Sequence, residues 1–200
     1  MFDVLIIGGG VSGMSSALIL GSAKNKPFVA DKKIGILTHQ KTSSLQEALL
    51  NNAYGIMPGK LGSAILEESK LHLTEMYPHV QQIDNEKVSK IEGEFPNFTV
   101  FTNKNSYVAK MIVLAIGYSN TFAIEGLMHF VETHQKAAPE KQRIQLKNTD
   151  HKVADGIYVA GTLAGWRSQL SIAAGSGAAV ATDILTLWNN GNSSQSHDKI

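Results

Sequence analysis

The chain has no cysteine among its 200 residues. That excludes a disulfide, a thiolate nucleophile, a cysteine zinc site and a C-x-x-C redox pair. Charge is scarce too: Lys, Arg, Asp and Glu make up 18% of residues and the formal net charge is +1. No basic excess draws the chain to nucleic acid or to an anionic lipid surface. No apolar run approaches the ~20 residues that span a bilayer. The first residues enter an apolar strand pattern with no basic segment before it, so we expect no signal peptide, no membrane partner and a cytoplasmic location. The seven histidines form no H-E-x-x-H and have no carboxylate cluster beside them, so no metal site is expected. Ser12 and Ser168 lack the G-x-S-x-G elbow of a serine hydrolase. What remains is a globular composition long enough for one well-filled core.

Glycine, by contrast, is plentiful, and its placement carries the first functional signal. Residues 4–7 (VLII) read as a buried parallel strand, and Gly8, Gly10 and Gly13 follow in G-x-G-x-x-G spacing. Gly8 suits a tight turn, Gly10 lets backbone approach a pyrophosphate, and Gly13 lets the next helix pack on the strand. Val11 and Ser12 fall at the helix start, where free N–H groups and the positive end of the helix dipole favour phosphate. Met14, Ala17, Leu18 and Leu20 continue a helical pattern. Residues 27–30 read as a second strand ending at Asp31, with Lys32 after it. A carboxylate there accepts hydrogen bonds from a ribose. Strand, glycine turn, helix, strand and acid together point to a dinucleotide site.

Farther on, residues 32–44 read as a loop, 45–52 as a short helix, and 53–62 as an irregular Gly/Pro turn. Residues 63–77 carry a helical period that Pro78 stops. Short alternating runs follow at 79–83, 87–91, 98–102 and 106–108, the last two forming a hairpin across Asn103-Lys104-Asn105. Residues 111–115 (MIVLA) and 156–160 (GIYVA) are further buried strands, each followed by glycine. Residues 118–155 are polar and irregular, with a strand at 142–146. A long helix over 170–188 carries a small-residue face at 175–179. Gly175 and Gly177 follow no strand, so they read as helix packing. The tail from 189 to 200 is expected to be disordered.

Three separated motifs now stand in order: the opening glycine turn, MIVLAIGYSNT at 111–121, and GIYVAGTLAGWRSQLSIAAGSGAAVATDIL at 156–185. Together they resemble the FAD-binding part of the thioredoxin reductase-like pyridine nucleotide-disulfide oxidoreductases, from residue 2 to about 188. The resemblance implies an α/β, Rossmann-like FAD-binding fold with a central parallel sheet and a small added β-hairpin or meander. It implies one FAD-binding domain over 1–188. Asn52, in Asn52-Ala53-Tyr54-Gly55, stands for the family's Asn that reaches the flavin. Val88 stands for the aliphatic residue whose backbone meets adenine. Ala115-Ile116-Gly117 stands for the family's Ala-Thr-Gly beside phosphates and ribose. Gly161-Thr162 stands for its Gly-Asp, and Ser168-Gln169-Leu170 for its Arg-Gln-Ala beside the flavin ring. A helix beginning near Leu170 can direct its positive end at a reduced flavin, and the Gln169 amide can both donate and accept at a flavin edge.

The departures from the pattern are informative. Thr162 replaces an acid with a hydroxyl, which hydrogen-bonds without charge assistance. The family inserts a whole NAD(P)H domain between the second and third motifs, whereas here 38 residues, 118–155, separate them. A full nucleotide domain needs about 100 or more. The NAD(P)H domain and its cysteine pair are therefore expected to be missing.

The expected function is an FAD-dependent oxidoreductase without disulfide chemistry. The alternative is a non-catalytic dinucleotide-binding or redox-sensing module that works with a partner protein. Expected partners are FAD and an unknown small molecule or redox protein; a homodimer is compatible with this reading. Trp166 and Arg167 could stack on the flavin ring. His129 and His134 read as a solvated loop pair.

Overall fold

The computed structural model describes residues 1–39, 43–117 and 121–197. Residues 40–42 of the loop at 32–44, residues 118–120 of the second motif and residues 198–200 of the tail lie outside the described residues. In chain order the elements are β1 (Phe2–Ile7), α1 (Val11–Ser22), β2 (Ile34–Thr38), β3 (Leu49–Leu50), β4 (Lys60–Leu61), α2 (Gly62–Met76), β5 (Val80–Asp84), β6 (Val88–Glu94), β7 (Asn97–Thr102), β8 (Ser106–Leu114), β9 (Val131–Thr133), β10 (Ile144–Leu146), β11 (Lys152–Ala154), β12 (Ile157–Val159) and α3 (Leu170–Trp188).

β1 explains the rest. It pairs in parallel with β2 on one side and β8 on the other, inside a sheet ordered β11-β12-β8-β1-β2-β5. Both of its faces are covered, which is why its sequence is a continuous apolar run rather than an alternation. Val4 and Ile6 face one core with Leu20 of α1 and Val180 and Ile184 of α3. Leu5 and Ile7 face a second core with Ile91 of β6, Val100 of β7 and Leu163. The fold is thus the Rossmann-like α/β arrangement, with helices on one face and the antiparallel β6–β7–β8 meander on the other.

α3 is, among the described residues, the one helix long and apolar enough by length and composition to cross a membrane. Here its buried face packs along α1. A Cβ on Gly177 would lie 2.0 Å from the Ser12 carbonyl oxygen. Ser15 and Ser16 of α1 donate from Oγ to the carbonyls of Ala174 (2.8 Å) and Gly177 (2.7 Å).

Several expectations are corrected. The second strand is not 27–30 but Ile34–Thr38. Residues 26–32 instead form successive turns, with Val29 and Ala30 N–H groups both donating to the Lys26 carbonyl. Proline and alanine there lose to the β-branched, fully buried run IGILT. Because β2 is parallel to β1 with Val4 opposite Ile34, Asp31 and Lys32 lie at the end of the sheet opposite the glycine turn. Lys32 sits 3.8 Å from Asp3 and over the Trp188 ring. Residues 45–52 form turns and β3, not a helix. The runs at 106–108 and 111–115 are one strand, β8. Its first half pairs with β7 and its second half with β1 and β12. β9 and β11 stand in a stretch expected to be largely irregular. Residues 189–197, expected to be disordered, fold back: Ser194 is buried, and Ser22 Oγ donates to Ser196 Oγ at 2.7 Å.

Candidate functional site

A cavity of about 790 Å³ opens where β1, β2 and β8 end, lined there by Ile7, Leu37 and Ala115. That volume lies within the roughly 300–1,000 Å³ of pockets that hold organic ligands, at the strand ends where open α/β sheets bind them.

The glycines of the turn do three different jobs. Gly8 has φ +116, and a Cβ there would lie 2.4 Å from the Ala115 carbonyl oxygen, so turn and neighbouring strand both require glycine. A Cβ on Gly13 would lie 1.8 Å from the Gly8 carbonyl oxygen, so that glycine serves helix packing. Gly10 differs: its backbone is ordinary extended chain, φ −77 and ψ −173, and a Cβ there would meet none of the described residues within 4 Å. None of the described neighbours demands glycine at this position, although glycine is also a favoured helix N-cap. The space that a Cβ would fill belongs to the cavity, beside Val11 and Ser12 at the α1 N-terminus, where no side chain caps the helix. Free N–H groups at a helix N-terminus suit an anion.

The opposite wall comes from the segment between β12 and α3. Gly161 has φ +72 and packs against Ser12, and its N–H donates to Ser176 Oγ at 2.7 Å. Thr162, Ser168, Gln169, Leu170 and Ala173 line the cavity. The α3 N-terminus also has no side-chain cap and no acid in its first turn. Two helix N-termini therefore face one cavity, both suited to negative charge.

His134 supports this wall. Expected in a solvated loop, it is buried. The Lys136 N–H donates to its Nδ1 (3.1 Å), so the proton sits on Nε2, which donates to the Thr162 carbonyl (3.1 Å). We expect His134→Phe, which keeps the volume but removes the acceptor of the Lys136 N–H and one of two donors to the Thr162 carbonyl, the other being the Gly165 N–H at 3.1 Å, to cost about 1–3 kcal/mol. Thermal unfolding should shift down by roughly 3–10 °C; an unchanged Tm would contradict the assignment.

Of the residues named from sequence, Gly8, Gly10, Val11, Ser12, Val88, Ala115, Ile116, Gly117, Thr162, Ser168, Gln169 and Leu170 line this cavity. Gly13 and Gly161 stand behind the lining as packing positions. Asp31, Lys32 and Asn52 do not line it. Asn52 is exposed in the β3–β4 turn, where its neighbour Asn51 accepts from the Gly59 N–H at 2.8 Å. Trp166 and Arg167 do not line it either. The Trp166 indole N–H donates instead to His151 Nε2 at 3.1 Å, with the Lys136 ammonium 4.4 Å from its ring.

Sequence reasoning missed His39, Glu86, Lys87 and Arg143, all in the lining. His39 follows the true second strand and was reachable by preferring IGILT as β2. Glu86 is buried yet charged. Burial raises its pKa, but hydrogen bonds from Thr102, Asn105 and Tyr107 outweigh it and hold the carboxyl below its ordinary range. Nothing local in the sequence marks Arg143. Among the described residues no group of three or more His, Asp or Glu is placed to hold a metal ion.

The model of one protein family, described as pyridine nucleotide-disulphide oxidoreductase, matches residues 2–177. Among curated proteins no sequence matches the chain. Among solved structures, a thioredoxin reductase from Gloeobacter violaceus aligns with TM-score 0.73 at 14% identity, covering 100% of this chain and 98% of its own. An oxidoreductase from Agrobacterium tumefaciens aligns with TM-score 0.70 at 14% identity, covering 93% and 98%. A ferredoxin-flavin thioredoxin reductase from Clostridium acetobutylicum aligns with TM-score 0.67 at 18% identity, covering 94% and 98%.

Proposed function

The chain belongs to the pyridine nucleotide-disulphide oxidoreductase family, and from that premise we propose that it is a compact FAD-binding flavoprotein of oxidoreductase type that works without disulfide chemistry. The observation that carries the reading is Gly10, an unstrained glycine in the cavity lining at the α1 N-terminus, where the absent Cβ leaves open space. FAD when bound would supply the electron-transfer chemistry. The chain's own residues bind and orient. The uncapped α1 N-terminus with Gly10, Val11 and Ser12 would hold the pyrophosphate. Ala115-Ile116-Gly117 would pass close to phosphate and ribose. Thr162 would offer a hydroxyl to the ribityl chain, and Gln169 an amide to the ring edge. The α3 N-terminus would favour negative charge on the ring.

The second reading, a binding or sensing module without turnover, has its own support. The chain has no cysteine. Between β8 and β12 the described residues hold only short strands and turns, with β9 paired to β10, where the family inserts a nicotinamide domain. Hydride transfer needs the nicotinamide held about 3–3.5 Å from its acceptor, and such positioning supplies much of the rate.

One experiment addresses both readings. Purified protein is titrated with FAD while flavin fluorescence is followed, then mixed anaerobically with NADH or NADPH. We expect saturable FAD binding and slow bleaching of the flavin, if any. Protein that takes up no FAD from excess would remove the flavoprotein reading. Rapid, saturable bleaching at micromolar NADPH would show that 118–155 builds a nicotinamide site after all.

A further inference from the structure

His151 lies outside the cavity and belongs to none of the motifs, yet it is built into the wall. It is 5% exposed and sits in the turn that leads into β11 with φ +69, a left-handed conformation rare for a side-chain-bearing residue. Its backbone is tied on both sides: its N–H donates to Asn148 Oδ1 (3.2 Å), and its carbonyl accepts from the Val159 N–H (2.9 Å). The ring is therefore delivered to a fixed place.

Two groups converge on one ring nitrogen. The Trp166 indole N–H lies 3.1 Å from His151 Nε2, and Ser176 Oγ lies 2.9 Å from it. An indole nitrogen can only donate, so Nε2 is an acceptor and carries no proton. The ring is the neutral Nδ1–H tautomer, and Nδ1 is buried with no hydrogen-bond partner among the described residues. Ser176 Oγ in turn accepts from the Gly161 N–H. One neutral imidazole thus holds Trp166 directly and Gly161 through Ser176. Gly161 precedes cavity-lining Thr162, and Trp166 stands between Thr162 and the lining stretch 168–170.

We propose that His151 is a positioning residue for the cavity wall, and that a proton on its Nε2 releases Trp166 and loosens residues 161–169, making ligand retention sensitive to mild acid. Ser176 can turn from donor to acceptor when Nε2 becomes N–H, but the indole cannot. Protonation sets N–H against N–H and breaks the Trp166 contact.

The charges around the ring set the range. Asp150 Oδ1 lies 3.7 Å from Nδ1. Asp150 and Asp183 of α3 both favour the charged ring, but burial outweighs them and pushes the pKa below the ordinary 6.5. Lys136, over the Trp166 ring, adds positive charge on the far side of the indole. Lys152, on β11, is paired with Asp155 at 2.7 Å. The β12 phenol Tyr158, whose pKa burial raises, is neutral in this range. Because the folded value is depressed, the neutral contact is intact above pH 6.5 and is lost as pH falls through the folded pKa.

The inference takes its ligand from the flavoprotein reading, but its first test does not depend on it. The His151 ring proton resonance is followed by NMR across pH 4.5–8, with His151→Gln to assign it. We expect a midpoint below 6.5, moved upward in Trp166→Phe, where the competing donor is gone. In parallel, FAD affinity is measured at pH 7.5 and 5. We expect about a tenfold loss, the scale of one lost hydrogen bond, and a nearly flat profile in His151→Gln. An ordinary midpoint that Trp166→Phe does not move would overturn the proposal. So would an FAD profile that is the same in wild type and His151→Gln. If FAD does not bind at any pH, the flavoprotein reading fails, and the resonance alone decides whether His151 holds Trp166. If His151→Gln does not fold, the wild-type and Trp166→Phe titrations carry the decision.

Discussion

Gly10→Val should lower FAD affinity by at least about 100-fold, a loss of roughly 3 kcal/mol, in a protein that folds as well as the wild type. The position makes the two effects separable. Gly10 has extended backbone that any residue adopts, and a Cβ there meets no atom of the described residues within 4 Å. The valine Cβ meets none of the described residues. Replacing glycine where no strain results restricts the unfolded chain and stabilises by about 0.4–1 kcal/mol, while valine is the poorer N-cap by a similar amount. We therefore expect apo Tm to stay close to that of the wild type. The new side chain would occupy the space at the α1 N-terminus and keep the pyrophosphate from the N–H groups. Calorimetric titration with FAD and thermal unfolding of the apo protein check the two halves. Unchanged FAD affinity would place the pyrophosphate elsewhere. A collapsed apo Tm would mean that the glycine is structural.

Gly13→Ala should do the reverse. Alanine is the better helix former by about 1 kcal/mol, so propensity alone predicts a gain at a helical position. Geometry decides otherwise. The added Cβ would lie 1.8 Å from the Gly8 carbonyl oxygen and 3.2 Å from the Ala115 side chain. Neither neighbour can yield cheaply. Gly8 is held by its own N–H to the Leu37 carbonyl at 2.8 Å, and Ala115 by its N–H to the Ile7 carbonyl at 2.8 Å. We expect a net destabilisation of about 2–4 kcal/mol, the upper range for overpacked sites. For a chain of this size that is a fall in Tm of roughly 5–15 °C. A Tm equal to or above wild type would mean that α1 shifts freely on β1.

The two substitutions show how far local reading reaches. The spacing of Gly8, Gly10 and Gly13 is visible in the sequence, and the turn role of Gly8 and the packing role of Gly13 have counterparts in the geometry. The second strand was harder. Placing an acid about twenty residues beyond the glycines favours Asp31, but the chain spends residues 23–33 on turns before β2 begins. Spacing counted along a chain is silent about how many residues a connection uses. His134 was misplaced for a related reason. A histidine in a polar segment reads as solvated, and it is buried where β10 packs against the Thr162 turn and its ring meets the Thr162 carbonyl.

The sequence by itself determined the parts governed by contiguous residues: the buried run of β1, the glycine turn, the span of α3, and the absence of cysteine chemistry. Those features depend on periodicity, backbone freedom and residue type, all of which are local. Tertiary structure decided which residues share the cavity. It set Asp31 at the far end of the sheet and brought His39, Glu86 and Arg143 to the near one. It also joined His151, Trp166, Ser176 and Gly161 through hydrogen bonds that cross 25 residues at the widest, from His151 to Ser176. Such contacts arise from parallel register and helix docking, and these are set by burial summed over the whole sheet rather than by any stretch of it.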